Sequence, residues 1–153
     1  MKGELVTAHS DPSTSTGLML WRVTNSWQRA IRAALAPFGL THVQFVLLAT
    51  LTSMGRATPV TQRDLADQAA TDVMMTSQVL RVLEDKQLIE RAPHPEDRRA
   101  RTLTPTAAGV ALVNRANTAV EDADRAYFAA LGAATRDFTR LLGTLDNAHR
   151  AAS

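Results

Sequence analysis

The sequence predicts a mainly α fold with a small β component (α+β), and three observations predict it. Apolar residues recur every three or four positions through most of the chain, as in helices that bury one face. Alanine is abundant and aromatics make up only 5% of the residues, a composition that favours helix over a β-sandwich. The periodicity breaks near residues 88–104, where two short runs flank Pro93-His94-Pro95 and the prolines stop any helix.

Taken in order, residues 1–16 are polar, rich in Ser and Thr and aperiodic, and read as a flexible tail. Leu20, Val23, Trp27, Ile31, Ala34 and Phe38 mark a first helix over 18–38, which Pro37 and Gly39 end. Thr41-His42-Val43-Gln44 has the form of a capping box and opens a second helix through Phe45, Leu48 and Leu51 to Met54. A short third helix starts at Thr61, with Asp64 favourable in its first turn. A fourth starts near Thr71-Asp72 and runs to about Lys86. Its inward stripe is Val73, Thr76, Leu80 and Leu83. Its outer face centres on Gln78, with Thr71, Met74, Met75 and Arg81 around it and Ser77 at the edge.

Leu88 to Arg91 and Arg99 to Thr104 read as the two strands of a hairpin with a charged tip. A helix of roughly 25 residues, about 37 Å long, follows from Thr106 to Ala130, and Gly132 breaks it. A last helix carries Phe138, Leu141, Leu142, Leu145 and His149 on one face.

Two short helices joined by a tight turn and followed by a two-stranded hairpin make a winged helix-turn-helix, here over 41–104. A polar-faced helix of this kind fits the major groove of DNA. Gln78 can pair with adenine, a contact of about 1–3 kcal/mol of discrimination. Arg81 reaches guanine or phosphate, Ser77 and Thr71 reach base or phosphate, and Met75 reaches a thymine methyl group. Met74-Met75 as half-buried packing is the equal alternative.

Net charge is only +2, but its distribution is uneven. No acidic residue lies between Asp11 and Asp64, while Arg22, Arg29, Arg32, Arg56 and Arg63 do. Arg98, Arg99 and Arg101 put three guanidinium groups in four residues at the hairpin. That asymmetry suits a polyanion or an anionic ligand, and a solvated basic surface is the plainer reading.

Residues 61–109 resemble the DNA-binding part of the MarR family (multiple antibiotic resistance regulators). The stretch TQRDLADQAATDVMMTSQVLRVLEDKQLIER at 61–91 is followed by APHPEDRRARTLTPTAAG at 92–109. Leu88-Ile89-Glu90-Arg91 is similar to the family's Gly-Leu-Val-x-Arg entry to the wing, and Asp97-Arg98-Arg99 to its Asp-x-Arg motif. Thr106 and Gly109 sit where the family has Leu-Thr-x-x-Gly. With the flanking helices the resemblance covers about residues 18–150. There are three departures: Gln87 for the usual glycine, Pro105 for the leucine, and Gln78 for the arginine of many members. The resemblance implies that Asp97 orients Arg99 and that the wing arginines enter the minor groove or grip phosphates. An Asp–Arg surface pair is the bland alternative.

The expected assembly is a homodimer through helices 18–38 and 106–150. The stripe Val113, Ala116, Val120, Ala123, Tyr127 on the long helix exceeds what a small winged helix covers, and the family's members dimerise through their terminal helices. A two-fold dimer sets its recognition helices about 34 Å apart and reads a palindromic operator in double-stranded DNA.

Members often bind small aromatic or anionic effectors between the dimerisation helices and the DNA-binding lobe. The candidate wall is Trp21, Arg22 and Asn25 with His42 and Phe45, an aromatic, a guanidinium and an amide beside a helix N-terminus.

Zero cysteines exclude disulfides, Fe–S clusters, Cys-ligated zinc and a thiol sensor. His9, His42, His94 and His149 are too scattered for a local zinc motif. No phosphate loop, nucleophile elbow or His-Glu-x-x-His is present. The Glu121-Asp122-Ala123-Asp124 cluster reads as a solvated face or as salt bridges to the Arg-rich first helix of a partner. The expectation is thus a cytoplasmic regulator, most simply a repressor, with no enzymatic activity, cofactor, metal or membrane association. A winged-helix protein–protein interaction module is the alternative.

Overall fold

The computed structural model describes residues 5–55 and 57–150. Arg56, part of the acid-free basic span, and the first four residues of the expected tail lie outside the described residues. The helices are α1 (Thr16–Leu35), α2 (His42–Met54), α3 (Gln62–Ala69) and α4 (Val73–Asp85), then α5 (Ala107–Phe128) and α6 (Thr135–Arg150). Between α4 and α5 lie the strands β1 (Ile89–Pro93) and β2 (Arg101–Pro105). This is a winged helix-turn-helix with a helix before it and two after it.

Side chains set most of the helix starts. Thr41 and Gln44 form the expected capping box on α2, and Thr61 and Asp64 form another on α3. Asp72 accepts the Met75 N–H at 2.9 Å to start α4, and Thr106 accepts the Gly109 N–H at 3.0 Å to start α5. Each bond satisfies an N–H that the helix itself leaves without a partner. In the segment read as tail, Asp11 caps a 3-10 turn at Pro12–Thr14, and Ser15 caps α1.

The core joins Ile31 and Leu35 of α1 with Leu47, Leu48 and Leu51 of α2 and Leu65 of α3. Leu80 and Leu83 of α4, Ile89 and Leu103 of the hairpin, and Val113, Ala116 and Val120 of α5 pack with them, as do Leu40, Phe45, Val60 and Leu88. Three expectations change here. The Val113–Val120 stripe of α5 is not left for a second copy: α1 and α2 cover it within the chain. Periodicity shows that a face is apolar but not what lies on it. Val73 is the first residue of α4 and is 56% exposed, so α4 enters the core only from Thr76 onward. Leu20 is exposed as well, one end of α1 running past the core.

Strand β2 begins two residues later than the expected Arg99, and β1 begins one residue later than the expected Leu88 and extends to Pro93. Arg91 pairs with Leu103 and Pro93 with Arg101. Pro105, one of the departures, closes β2 opposite Ile89 without displacing the start of α5. The glycine position before the wing is filled by Gln87 in the left-handed region, φ 58. Its N–H donates to the Glu84 carbonyl at 2.8 Å and the Leu88 N–H donates to the Leu83 carbonyl at 2.9 Å. That pair of bonds is the Schellman ending that glycine would give without strain.

Candidate nucleic-acid interface

The turn between α3 and α4 is built by Ala70, Thr71 and Asp72. Ala70 is left-handed, φ 53, and the Thr71 N–H donates back to the Ala66 carbonyl at 3.0 Å. The Thr71 hydroxyl meets the Thr76 hydroxyl at 2.7 Å, and Thr76 donates to the Asp72 carbonyl at 2.7 Å. Thr76 is fully buried. Two threonines therefore lock the turn onto the first turn of α4, and the Thr71 side chain points at this lock rather than outward.

The outward face of α4 carries Met74, Gln78 and Arg81, all exposed. Ser77 is half-buried at its edge. Met74 is 75% exposed, so the packing alternative does not describe it. Met75 turns the other way, toward a cleft described below.

The wing tip is held by its own side chains. His94 Nδ1 accepts the N–H groups of Glu96 and Asp97, each at 3.1 Å. Asp97 Oδ1 accepts the Arg99 backbone N–H at 2.9 Å. Asp97 thus orients the backbone of Arg99 and not its guanidinium, which refines the role implied by resemblance. Among the described residues no carboxylate pairs with Arg81, Arg98, Arg99 or Arg101. Arg91 does pair, with Glu84 at 3.0 Å, and so ties β1 to α4. The molecule thus presents an exposed helix face with Gln78 and Arg81 and, on the wing, arginines without a carboxylate partner.

A cleft of about 530 Å³ lies between α1, α2 and the α3–α4 turn. Its walls include Trp27, Gln28 and Arg32 of α1, His42 and Val46 of α2, and Met75 of α4. The indole of Trp27 donates to Asp124 at 2.7 Å and meets the His42 ring edge-on at 5.2 Å. Burial pushes the His42 imidazole below its ordinary value, Asp124 pulls it back up, and Arg32 pushes it down.

Of the five residues expected to line a ligand site, only His42 reaches this cleft. Phe45 is 7% exposed and belongs to the core. Trp21 and Asn25 share a stripe of α1 with Gln28 and Arg32, but Trp21 lies about 10 Å further along the axis than Gln28. The Asn25 amide is spent on the Trp21 carbonyl at 2.8 Å, and Arg22 is exposed away from the cleft. Trp27, a stripe residue of the first helix in the sequence, supplies a half-buried indole to the wall of this cleft. Of the carboxylates read as a solvated face or as salt bridges to a partner, Asp124 accepts from Trp27 and the exposed Asp122 pairs with Arg125 at 2.7 Å, both within the chain.

Among the described residues no group of three His, Asp or Glu side chains is placed to hold a metal. No single helix there is long and apolar enough to cross a membrane.

Residues 40–100 match the MarR family model. The chain is 48% identical over 122 residues to an uncharacterized HTH-type transcriptional regulator of Bacillus subtilis, YdcH, covering 79% of this chain and 83% of that one. It is 35% identical over 130 residues to the HTH-type transcriptional repressor Rv2887 of Mycobacterium tuberculosis, 84% of this chain and 91% of that one. The structure of Rv2887 in complex with salicylic acid superposes with a TM-score of 0.68, over 89% of this chain and 98% of that one. BpsR of Bordetella bronchiseptica, solved to show how 6-hydroxynicotinic acid regulates its DNA binding, is 25% identical. It superposes with a TM-score of 0.82 over 92% of this chain and 98% of that one.

Proposed function

The chain belongs to the MarR family of transcriptional regulators, and from that membership we propose that it is a homodimeric repressor of a palindromic operator, released by a small aromatic acid. The observation that carries the reading is the set of exposed wing arginines without a carboxylate partner among the described residues, Arg98, Arg99 and Arg101, in a chain that also exposes Gln78 and Arg81 on α4. In this reading Gln78 and Arg81 read base edges, Ser77 takes a phosphate and Met74 meets thymine methyl groups. The wing arginines enter the narrow, electronegative minor groove.

The dimer reading rests on α6. It buries no residue within the chain, and its Leu141, Leu142 and Leu145 are exposed together with Leu18, Leu20 and Trp21 of α1. Apolar faces of this extent call for a partner, and a second copy supplies the symmetry that a palindrome requires. Trp21 finds its place in this reading as dimer packing rather than as a ligand contact.

The effector reading rests on the cleft. Trp27 offers a flat apolar face, Arg32 a cation, and His42 an imidazole edge. An aromatic carboxylate complements all three, the class to which the acids of the two relatives belong. The cleft is walled on one side by the α3–α4 turn. Occupancy therefore moves DNA affinity by as much as the acid prefers one placement of α4 over another.

The test is a titration of the chain against the duplex upstream of its own coding region and against a shuffled duplex, at two salt concentrations. Specific binding about a thousandfold tighter is the expected result. Equal, steeply salt-dependent binding to both would reduce the reading to phosphate contact. No binding at low salt to either duplex would favour an interaction module.

A further inference from the structure

A lysine ties the end of the recognition helix to the helices before it. Lys86 caps α4, and its Nζ donates to the Gly39 carbonyl at 2.8 Å and to Gln44 Oε1 at 3.2 Å. Gly39, φ 65, ends the 3-10 turn that follows α1. Gln44 completes the capping box of α2 and is buried, and its Oε1 also accepts the Thr41 N–H at 3.2 Å. One ammonium therefore joins α4 to the corner between α1 and α2. The corner suits it: carbonyls at a helix end carry partial negative charge, and an ammonium has three donors to share.

The rest of that helix end is held too. Glu84 takes Arg91 of β1 at 3.0 Å, and Gln87 and Leu88 close the last turn onto Glu84 and Leu83. The beginning of α4 is tied instead to the α3–α4 turn, through Thr71 and Thr76. Val73 and Met74 are exposed, and Met75 faces the cleft. Met75, Val79 and Lys86 fall within about 40° on the helical wheel. One side of α4 is thus latched to α1–α2 at its end and open to the cleft at its start.

We propose that Lys86 is a positioning residue for base recognition, setting the angle at which α4 presents Gln78 and Arg81 without touching DNA itself. The proposal rests on the DNA-binding reading. It makes the latch the fixed end about which the start of α4 moves relative to the cleft.

The test compares wild type, Lys86→Met and Lys86→Arg on a duplex enriched by wild type from a random pool and on its shuffled sequence. Lys86→Met is expected to lose about tenfold on the enriched duplex, the scale of one misread base pair. Affinity for the shuffled duplex and the salt slope stay unchanged, and Lys86→Arg restores most of the discrimination. A parallel loss on both duplexes with a slope smaller by about one would make Lys86 a phosphate contact and overturn the proposal. Unchanged discrimination would overturn it equally.

The absence of cysteine allows a second readout that needs no DNA. Spin labels at Met74→Cys and Arg29→Cys, in full-length chain diluted into unlabelled chain, report the distance between the start of α4 and α1. Lys86→Met is expected to broaden that distance distribution, and an unchanged distribution would overturn the latch. If no duplex is enriched at all, the DNA reading fails and the label distances alone decide the latch. Lys86→Gln stands in for Lys86→Met should the latter fail to fold.

Discussion

The indole N–H of Trp27 donates to the carboxylate of Asp124 at 2.7 Å, across 97 residues of sequence. The bond fixes the rotation of α1 against α5 and sets the wall of the cleft. Asp124→Ala leaves a half-buried donor without a partner, a cost of about 1–3 kcal/mol. Asp124→Asn keeps an acceptor and is expected to lose less. Urea unfolding of the two variants checks the order, and equal losses would mean that the bond contributes nothing specific.

The same wall predicts a pH dependence. His42 lies below its ordinary value of 6.5, chiefly because burial disfavours the imidazolium. The unfolded chain therefore binds this proton more readily than the folded one. Its contribution to stability is complete above 6.5 and is lost as pH falls from there through the folded value. Unfolding midpoints across that window should drop with pH for wild type and flatten for His42→Gln. An aromatic carboxylate held against the imidazolium raises the folded value toward the unfolded one and is expected to shrink the drop.

Gln87 holds a left-handed conformation, φ 58, at the end of α4. A side chain there costs about 1–2 kcal/mol that glycine does not incur, partly offset by the greater freedom of glycine in the unfolded chain. Gln87→Gly is expected to stabilise by about 1 kcal/mol. Gly109 lies at the other limit. A Cβ on it would land on the backbone carbonyl of Leu88, which accepts the Thr106 N–H at 3.0 Å. Backbone cannot swing aside as a flexible side chain can, so Gly109→Ala should cost about 1–3 kcal/mol. Thermal denaturation of both variants reads the opposite signs.

These positions also show what the sequence could and could not carry. Thr41 with Gln44, and Thr61 as a helix start, were legible because a cap and its acceptor lie three residues apart. Gly132 was legible as a break because glycine weakens a helix, and its φ of 52 with ψ −127 lies outside any helix. The partner of an apolar stripe was not legible. Val113, Ala116 and Val120 announce a buried face, yet only the fold tells that α1 and α2 cover it. Which turn of α1 lines the cleft was not legible for a related reason. Trp21 and Gln28 lie on one stripe, and periodicity gives the angle around a helix but not which turn meets a neighbour. Lys86 and Gly39 are 47 residues apart, and no local pattern links them.

The effector reading separates the two tryptophans. Trp27→Phe and Arg32→Ala should each weaken the response of DNA binding to salicylate, used as the probe acid, while leaving DNA affinity without it nearly intact. Trp21→Ala should leave the response in place and instead weaken self-association, measured by sedimentation at falling concentration. A response lost with Trp21 and kept with Trp27 would move the site to the face first read from the sequence.

The wing offers a sharper division, because Asp97 and Arg99 act through different physics. Arg99 contributes charge: Arg99→Ala should weaken binding to any duplex and lower the salt slope by about one. Asp97 contributes geometry through its bond to the Arg99 N–H, and its own charge opposes the phosphates. Asp97→Ala removes both, so binding to shuffled DNA should rise slightly while binding to an operator falls. Asp97→Asn keeps an acceptor for the turn and removes only the charge. It should raise affinity for shuffled DNA as Asp97→Ala does, yet hold the operator. If Asp97→Asn and Asp97→Ala lose operator binding alike, the carboxylate charge rather than the turn is what the wing needs. The backbone role assigned to Asp97 would then be wrong.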